Sequence, residues 1–375
     1  MNSMSRDLST INSLAAVLVN PGKPLELRHI PVPKVGSRNV LIKTSVTGVC
    51  GTDVHYWKGD VRLPYPVILG HESIGCISEL GDGIKTDSIG NQVAKGDRVF
   101  WVSSLPCGKC YYCMVEKDLT ACMNRKSYGN LWCCDEFPYL VGGYSEYVYL
   151  SEGASFIKLP ESLDDREAIA FGCGGPSITK AVEWAGGIGQ GDKVVVQGSG
   201  PVGLYAILLA KISGASDIIS IGGPSHRLQV AKKLGATLTI DIFEKRDPGE
   251  RIKQVLEVTE GRGADFCVEA TGFVGAFSEG IEMTRTNGTY LVVGLYSNVG
   301  NASIDPSKIV RKNMRIVGSK FWEPRHLYKM MHMINQVKNE FPIKDIVSHT
   351  FDLPHATEAI EAVEKVETVK AILKP

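Results

Sequence analysis

From Asp192 onward the chain repeats one grammar, and that grammar limits the possible fold more than any other feature of the sequence. "DKVVVQ" is a short β-branched run, followed by glycines and by "PVGLYAILLAKISG", which has the length and pattern of a helix. The series continues with "DIISI", "RLQVAKKLGA", "TLTID", "GERIKQVLEVTEG", "DFCVEAT", a helical stretch from Val274 to Arg285, "TYLVVGL" and "MRIVGSK". Strand-length apolar runs alternating with helical connections predict a doubly wound parallel sheet, and so an α/β protein.

Residues 14 to 160 follow a different pattern. "NVLIKTSV", "SIGCISEL", "DRVFWVS" and "GGYSEYVYL" are short apolar runs separated by Gly, Pro and Asp, which reads as a β-rich region. Beyond the parallel sheet, "EPRHLYKMMHMINQVKN" and "PHATEAIEAVEKVE" read as amphipathic helices, and a final "VKAILKP" could close back onto the first region. A length of 375 residues suggests about two domains.

Composition narrows the function. Lys plus Arg and Asp plus Glu both total 41, a formal net charge of zero. Nucleic-acid and polybasic membrane roles need a positive surplus, so neither is expected. "MNSMSRDLSTINS" has no apolar leader core, and "LAAVLV" is too short to span a bilayer, which makes a cytoplasmic location the expectation. In that reducing compartment, clusters among the ten cysteines point to metal binding or catalysis before disulfides.

One such cluster is plain. Cys107, Cys110, Cys113 and Cys122 stand in "CGKCYYCMVEKDLTAC". Closely spaced thiolates on a tight loop can converge into the closed four-ligand shell of a structural zinc. The competing reading is four scattered buried thiols. A second signal is "GSGPVG", with Gly198, Gly200 and Gly203 directly after a strand and opening a helix. In that context the glycines allow a tight turn, close approach of backbone to a pyrophosphate, and helix-on-strand packing. The remaining candidates are Cys50 in "GVCGTDVH", His71 and Glu72 in "GHE", and Cys173 in "FGCGG". Two cysteines and a histidine with one open position form a catalytic zinc set. By spacing alone, each of these residues could equally be a core thiol or a satisfied histidine.

The ordered series "GVCGTDVH", "GHE", "GDRV", the four-cysteine lobe, "GCGG", "GSGPVG" and "VKAIL" resembles the zinc-dependent medium-chain alcohol and polyol dehydrogenases over nearly the whole chain. The resemblance implies a GroES-like catalytic domain over residues 1–171, with its zinc lobe near 104–125. It further implies a Rossmann domain over 172–313 and a return segment over 314–375. It implies two zinc ions, one on Cys50, His71 and Cys173 and one on the four-cysteine lobe. Glu72 becomes the carboxylate beside the catalytic metal, and Asp53 the partner that orients a ligand histidine. Thr52 and His55 match the family's proton relay. Gly198, Gly200, Pro201, Val202, Gly203, Gly222, His226, Arg227 and Thr271 are implied to contact NAD or NADP, and Lys370 to reach the pyrophosphate. Its alternative is an ordinary surface lysine. The reaction implied is hydride transfer between an alcohol and the nicotinamide ring, in a homodimer or homotetramer acting on a small molecule.

Departures from the family pattern sharpen the expectation. The last lobe cysteine follows eight residues where seven is common, and Cys76, Cys133, Cys134 and Cys267 read as packing or surface thiols. Gly222, in "SIGGPSHR", stands where an acidic residue normally grips the adenosine ribose, with His226 and Arg227 close behind. That tilts the cofactor toward NADP, although the proline in this turn fits NAD as well. Trp57 near the zinc, with Ser103 where relatives carry a bulky side chain, suggests room for a cyclic or branched secondary alcohol. Many polyol dehydrogenases place a glutamate where Cys173 stands, which argues against a polyol. A zinc-containing carbonyl reductase or a polyol dehydrogenase is the alternative. A non-enzymatic protein on the same fold is expected to have lost a ligand or the glycine motif, and none is lost.

Overall fold

Continuous β-branched runs suit a sheet that is covered on both faces, and the central strands of the second half of the chain are buried along nearly their whole length. The computed structural model describes residues 11–297 and 299–375, so most of the polar stretch read above as lacking a leader lies outside the described residues. Six strands form one sheet: β1 Lys193–Gln197, β2 Asp217–Gly222, β3 Leu238–Asp241, β4 Ala264–Glu269, β5 Thr284–Val292 and β6 Arg315–Gly318. Every pairing is parallel and the order is β3-β2-β1-β4-β5-β6, the order of a doubly wound dinucleotide-binding sheet. Helices α1 Pro201–Ile212, α2 Ser225–Lys233, α3 Pro248–Val258 and α4 Val274–Met283 connect successive strands up to β5.

Local sequence explains where α1 begins. Gly200 is its N-cap and Pro201 its first residue, where a proline loses no hydrogen bond. Gly203 lies in its first turn, and a Cβ there would overlap the Gly198 carbonyl. The third glycine of the motif is therefore a contact between helix and strand end. Val195, Ile219, Cys267 and Tyr290 pack at the centre of this unit's core, each fully buried.

The described chain divides into two compact units. One runs up to Cys173 and takes in Glu323–Met331 and Val347–Pro375; the other comprises Gly174–Trp322 and His332–Ile346. The sheet extends past residue 313, the end expected for the Rossmann domain, because β6 pairs with β5 through Thr289↔Arg315 to Val292↔Gly318. The first unit is β-rich. Its larger sheet runs Phe156–Lys158, Arg98–Trp101, Ser73–Leu80, Val40–Val49, Lys370–Lys374, Val347–Asp352, with Tyr147–Leu150 also pairing with Val40–Val49. The terminal strand Lys370–Lys374 lies antiparallel to Val40–Val49, setting Ala371 opposite Val49. A smaller sheet joins Glu26–Pro31, Asn12–Leu18 and Val67–Ile68. Among the described residues no helix is long and apolar enough to cross a membrane.

Replacing Gly203 by alanine is expected to push α1 off the end of β1. Overpacking of this kind costs about 1–3 kcal/mol, so thermal unfolding should begin at lower temperature and dinucleotide affinity should fall. An unchanged melting curve would show that the helix start has slack to absorb the methyl group.

Candidate functional site

In the first unit, Val40–Val49 delivers Cys50 to the start of the helix Gly51–Lys58. Cys50 is the N-cap: its sulfur faces the backbone N–H of Asp53, while its own N–H donates to Asp53 Oδ2 at 2.9 Å. A helix start favours a thiolate. The "GHE" loop brings His71 alongside, and Cys173 arrives from the far end of the unit. One ligand atom from each of Cys50, His71 and Cys173 lies within 4.8 Å of the others, and the two sulfurs are 3.5 Å apart.

Asp53 is fully buried and organises the set. Its Oδ1 is 3.2 Å from His71 Nδ1, and Tyr144 donates its hydroxyl to Oδ2 at 3.2 Å. Holding Nδ1 this way leaves Nε2 for the thiol side. Burial pulls the His71 pKa down, yet Asp53 and Cys50 together carry it well above the ordinary histidine value. The hydrogen bond with Cys173, helped by His71 and Lys370, holds the Cys50 thiol well below the usual range. The same sulfur–sulfur contact, with burial, pushes Cys173 up.

Glu72 and Lys370 form a second buried layer. Glu72 is fully buried, and its Oε2 accepts the Cys173 N–H at 2.5 Å. Its other oxygen pairs with Lys370 Nζ, which also donates to Val49 O at 3.4 Å. Lys370 is 2% exposed. The structure gives it Glu72 as its partner within the protein, and its burial rules out the surface-lysine alternative. Burial pushes the Glu72 pKa up against the pull of Lys370. For Lys370, burial lowers the pKa, but Glu72, Cys50 and Cys173 carry it up.

The helix after Cys50 presents Thr52 and His55 one turn apart, where side chains share a face. Thr52 Oγ1 is 3.6 Å from Cys50 Sγ, and His55 Nδ1 is 2.8 Å from Asp60 Oδ2. Asp60 was not singled out from the sequence, nor were Tyr56 and Asn130. The Tyr56 ring stands edge-on to His71 at 6.5 Å, and its hydroxyl accepts from Asn130 Nδ2 at 3.2 Å. Trp57, expected to add bulk near the metal, instead donates its indole N–H to Lys23 O at 2.8 Å.

The four lobe cysteines converge as their spacing suggests, all four sulfurs lying within 4.8 Å of one another. Cys110 Sγ is 3.5 Å from that of Cys113 and 3.8 Å from that of Cys122. Sulfurs at about 2.3 Å from a tetrahedral zinc stand about 3.8 Å apart, so the cage has the right size. Backbone N–H groups of Lys109 and Cys110, with Cys122, draw the Cys107 pKa down to about 6, while burial and the neighbouring thiols push that of Cys113 up to about 12. Cys134 and Cys267 are buried and Cys76 and Cys133 half-buried, all free.

In the second unit, Gly198, Gly200, Pro201, Val202 and Gly203 wrap from β1 into α1, and Gly222 closes β2. His226 is exposed and Arg227 half-buried on α2. Arg227 Nη1 lies 3.9 Å from where a Cβ on Gly200 would sit. Thr271 follows β4, and its hydroxyl and N–H both bond to Glu269 Oε1. Glu269 is fully buried and was not picked out from the sequence.

Comparison with known proteins agrees with this arrangement. The family described as alcohol dehydrogenase GroES-like domain matches residues 36–161, and that described as zinc-binding dehydrogenase matches residues 201–336. The chain is 35% identical over 364 residues to 5-exo-hydroxycamphor dehydrogenase of Pseudomonas putida, covering 96% of this chain and 98% of the relative. It is 33% identical over 350 residues to a sorbitol dehydrogenase of Halalkalibacterium halodurans, covering 92% and 94%. The crystal structure of an alcohol dehydrogenase from Thermotoga maritima superposes with a TM-score of 0.91 at 33% identity, covering 97% of this chain and all of that one. The chain therefore belongs to the zinc-dependent medium-chain dehydrogenases. It is an oxidoreductase acting on CH–OH groups with a nicotinamide cofactor.

Replacing Lys370 by methionine strands a buried carboxylate, and breaking such a pair costs about 3–5 kcal/mol. Urea unfolding should register that loss, and the double variant Glu72→Gln/Lys370→Met should recover most of it. Equal stability of the single and double variants would show that Glu72 needs no counter-charge.

Proposed function

We propose that this enzyme oxidises a cyclic or branched secondary alcohol reversibly, using a catalytic zinc on Cys50, His71 and Cys173 and a structural zinc on Cys107, Cys110, Cys113 and Cys122. The convergence of the first three ligand atoms within 4.8 Å carries the reading. Two thiols and an imidazole form a three-residue zinc set with a position left for substrate, whereas four thiols form a closed shell. When bound, the catalytic zinc supplies a Lewis acid that lowers the pKa of the substrate hydroxyl, and the nicotinamide supplies the hydride acceptor.

The protein's own groups orient and move the proton. Asp53 fixes the His71 ring so that Nε2 is the nitrogen offered. Glu72 holds the Cys173 backbone through its N–H and is itself held by Lys370. Thr52, beside Cys50, is the hydroxyl placed to take up the substrate proton. His55, with Nδ1 directed at Asp60, keeps Nε2 as the acceptor from which that proton reaches solvent. Tyr56, anchored by Asn130, offers an aromatic wall suited to an apolar ring. The second unit binds NAD or NADP through Gly198, Gly200, Pro201, Val202, Gly203 and Thr271 at the carboxyl ends of its strands. Gly222 at the end of β2, with His226 and Arg227 at the start of α2, meets the adenosine ribose.

The substrate class rests on the relative named for a bicyclic secondary alcohol, which this chain matches over almost its entire length. Among bicyclic terpenoid alcohols, simple cyclohexanols, 2,3-butanediol and sorbitol, kcat/KM should be highest for the bicyclic alcohols. Highest activity on sorbitol would transfer the assignment to polyols, as the second relative suggests.

Metal analysis should return two zinc ions per chain. Cys173→Ser should lose one of them, and with it turnover, while keeping the fold. Cys110→Ser should instead lower the melting temperature, because a structural zinc contributes directly to folding. A Cys110→Ser protein that melts like the parent would remove the structural assignment.

A further inference from the structure

Gly222 ends β2, and the space in front of it belongs to another residue. A Cβ at position 222 would lie 2.6 Å from Ser199 Oγ, 2.9 Å from Ser199 Cβ and 3.0 Å from Ser199 N. Ser199 is 3% exposed. Its hydroxyl is fixed from two sides: it donates to Gly223 O at 3.0 Å and accepts from the Gly223 N–H at 3.1 Å. Turning the hydroxyl away to admit a side chain at 222 would break both bonds in a buried setting. Each unmade bond there carries the desolvation cost of the group left behind. The first variable residue of the Gly-x-Gly-x-x-Gly loop is thus locked to the turn that follows β2.

This lock has a chemical consequence. A carboxylate at the end of β2 accepts hydrogen bonds from a ribose diol and repels a ribose phosphate. A neutral hydroxyl already bonded twice to Gly223 is a weaker acceptor for the diol and does not repel the phosphate. The guanidinium of Arg227 stands on the Gly200 side of the same turn, where a planar, doubly donating cation suits a phosphate. Burial draws its pKa down only to about 10, so it is charged at neutral pH.

We propose that Ser199 is a specificity-determining residue of the cofactor site. It excludes an acidic side chain from position 222, pins the turn at Gly223, and so leaves the ribose 2′ position open to a phosphate that Arg227 meets. The proposal rests on reading the second unit as the NAD(P) site, and it makes Ser199 and Gly222 one functional pair. Changing Gly222 alone does not convert the preference, because the new side chain has nowhere to go while Ser199 remains.

The test compares four zinc-loaded, full-length proteins: wild type, Ser199→Gly, Gly222→Asp and the double variant. Dissociation constants for NADP and NAD are measured by titration in the absence of alcohol, with the melting temperature of each protein alongside. Wild type should bind NADP tighter than NAD by about tenfold or more, the scale of one or two charge-assisted bonds. Gly222→Asp should weaken both nucleotides by about tenfold or more. The double variant should regain NAD and bind NADP about a hundredfold more weakly than wild type.

A Gly222→Asp protein that binds NAD as tightly as the double variant would overturn the role of Ser199. Should Gly222→Asp fail to fold, Gly222→Ala carries the same comparison, made in wild type and in the Ser199→Gly background. Its effect should differ between the two backgrounds by about fivefold or more, and additivity overturns the pairing. A wild type that prefers NAD overturns the phosphate part of the proposal. A wild type that binds neither nucleotide removes the nucleotide-site reading itself, a result distinct from either of the others.

Discussion

Glu72 carries a carboxylate with no solvent exposure, and remote parts of the chain neutralise it. Lys370 of the terminal strand pairs with one oxygen, and the backbone N–H of Cys173 donates to the other. An isolated charge at that depth would neutralise itself or unfold its surroundings. The arrangement persists because the sheet delivers the cation: setting Ala371 opposite Val49 places Lys370 behind Cys50. Asp53 does the equivalent work one layer closer to the ligands, gathering the Cys50 N–H, the His71 ring and the Tyr144 hydroxyl on one side chain. The proposed metal ligands are thus positioned by two buried carboxylates, each satisfied almost completely by the protein itself.

The parts legible in the sequence were those whose chemistry is local. Six strands of the parallel sheet, the glycine turn and the four-cysteine cage are all encoded in short windows, where spacing alone limits the geometry. The grouping of Cys50, His71 and Cys173 was legible only through resemblance, because 123 residues separate the two sulfurs in the chain. What could not be read depends on packing. The burial of Lys370 against Glu72 is one such feature, since nothing near it in sequence shows that a buried carboxylate waits across the sheet. The strand Val347–Asp352 was missed because "VSHTFD" exposes most of its side chains and lacks a continuous apolar run. Trp57 was expected to add bulk near the metal, whereas the helix sets Tyr56 against His71 and anchors the Trp57 indole on Lys23.

Ser199 shows a related limit. The sequence marks Gly222 as a missing acid, and the simple reading is that restoring the acid restores the usual cofactor. Packing makes the glycine a requirement of its neighbour instead, so one position cannot be interpreted without the other.

The terminal strand also sets an order of events during synthesis. Glu72 and Lys370 are 298 residues apart, so the carboxylate leaves the ribosome long before its counter-charge exists. Until then residue 72 must stay hydrated or protonated, and the pocket around Cys50 and Cys173 cannot close on it. Domains tend to fold as they emerge, but this one has to wait for its last strand while the whole nucleotide unit is made. A nascent chain stalled short of Lys370 would hold a complete Rossmann sheet in one unit and an open, thiol-bearing half-site in the other.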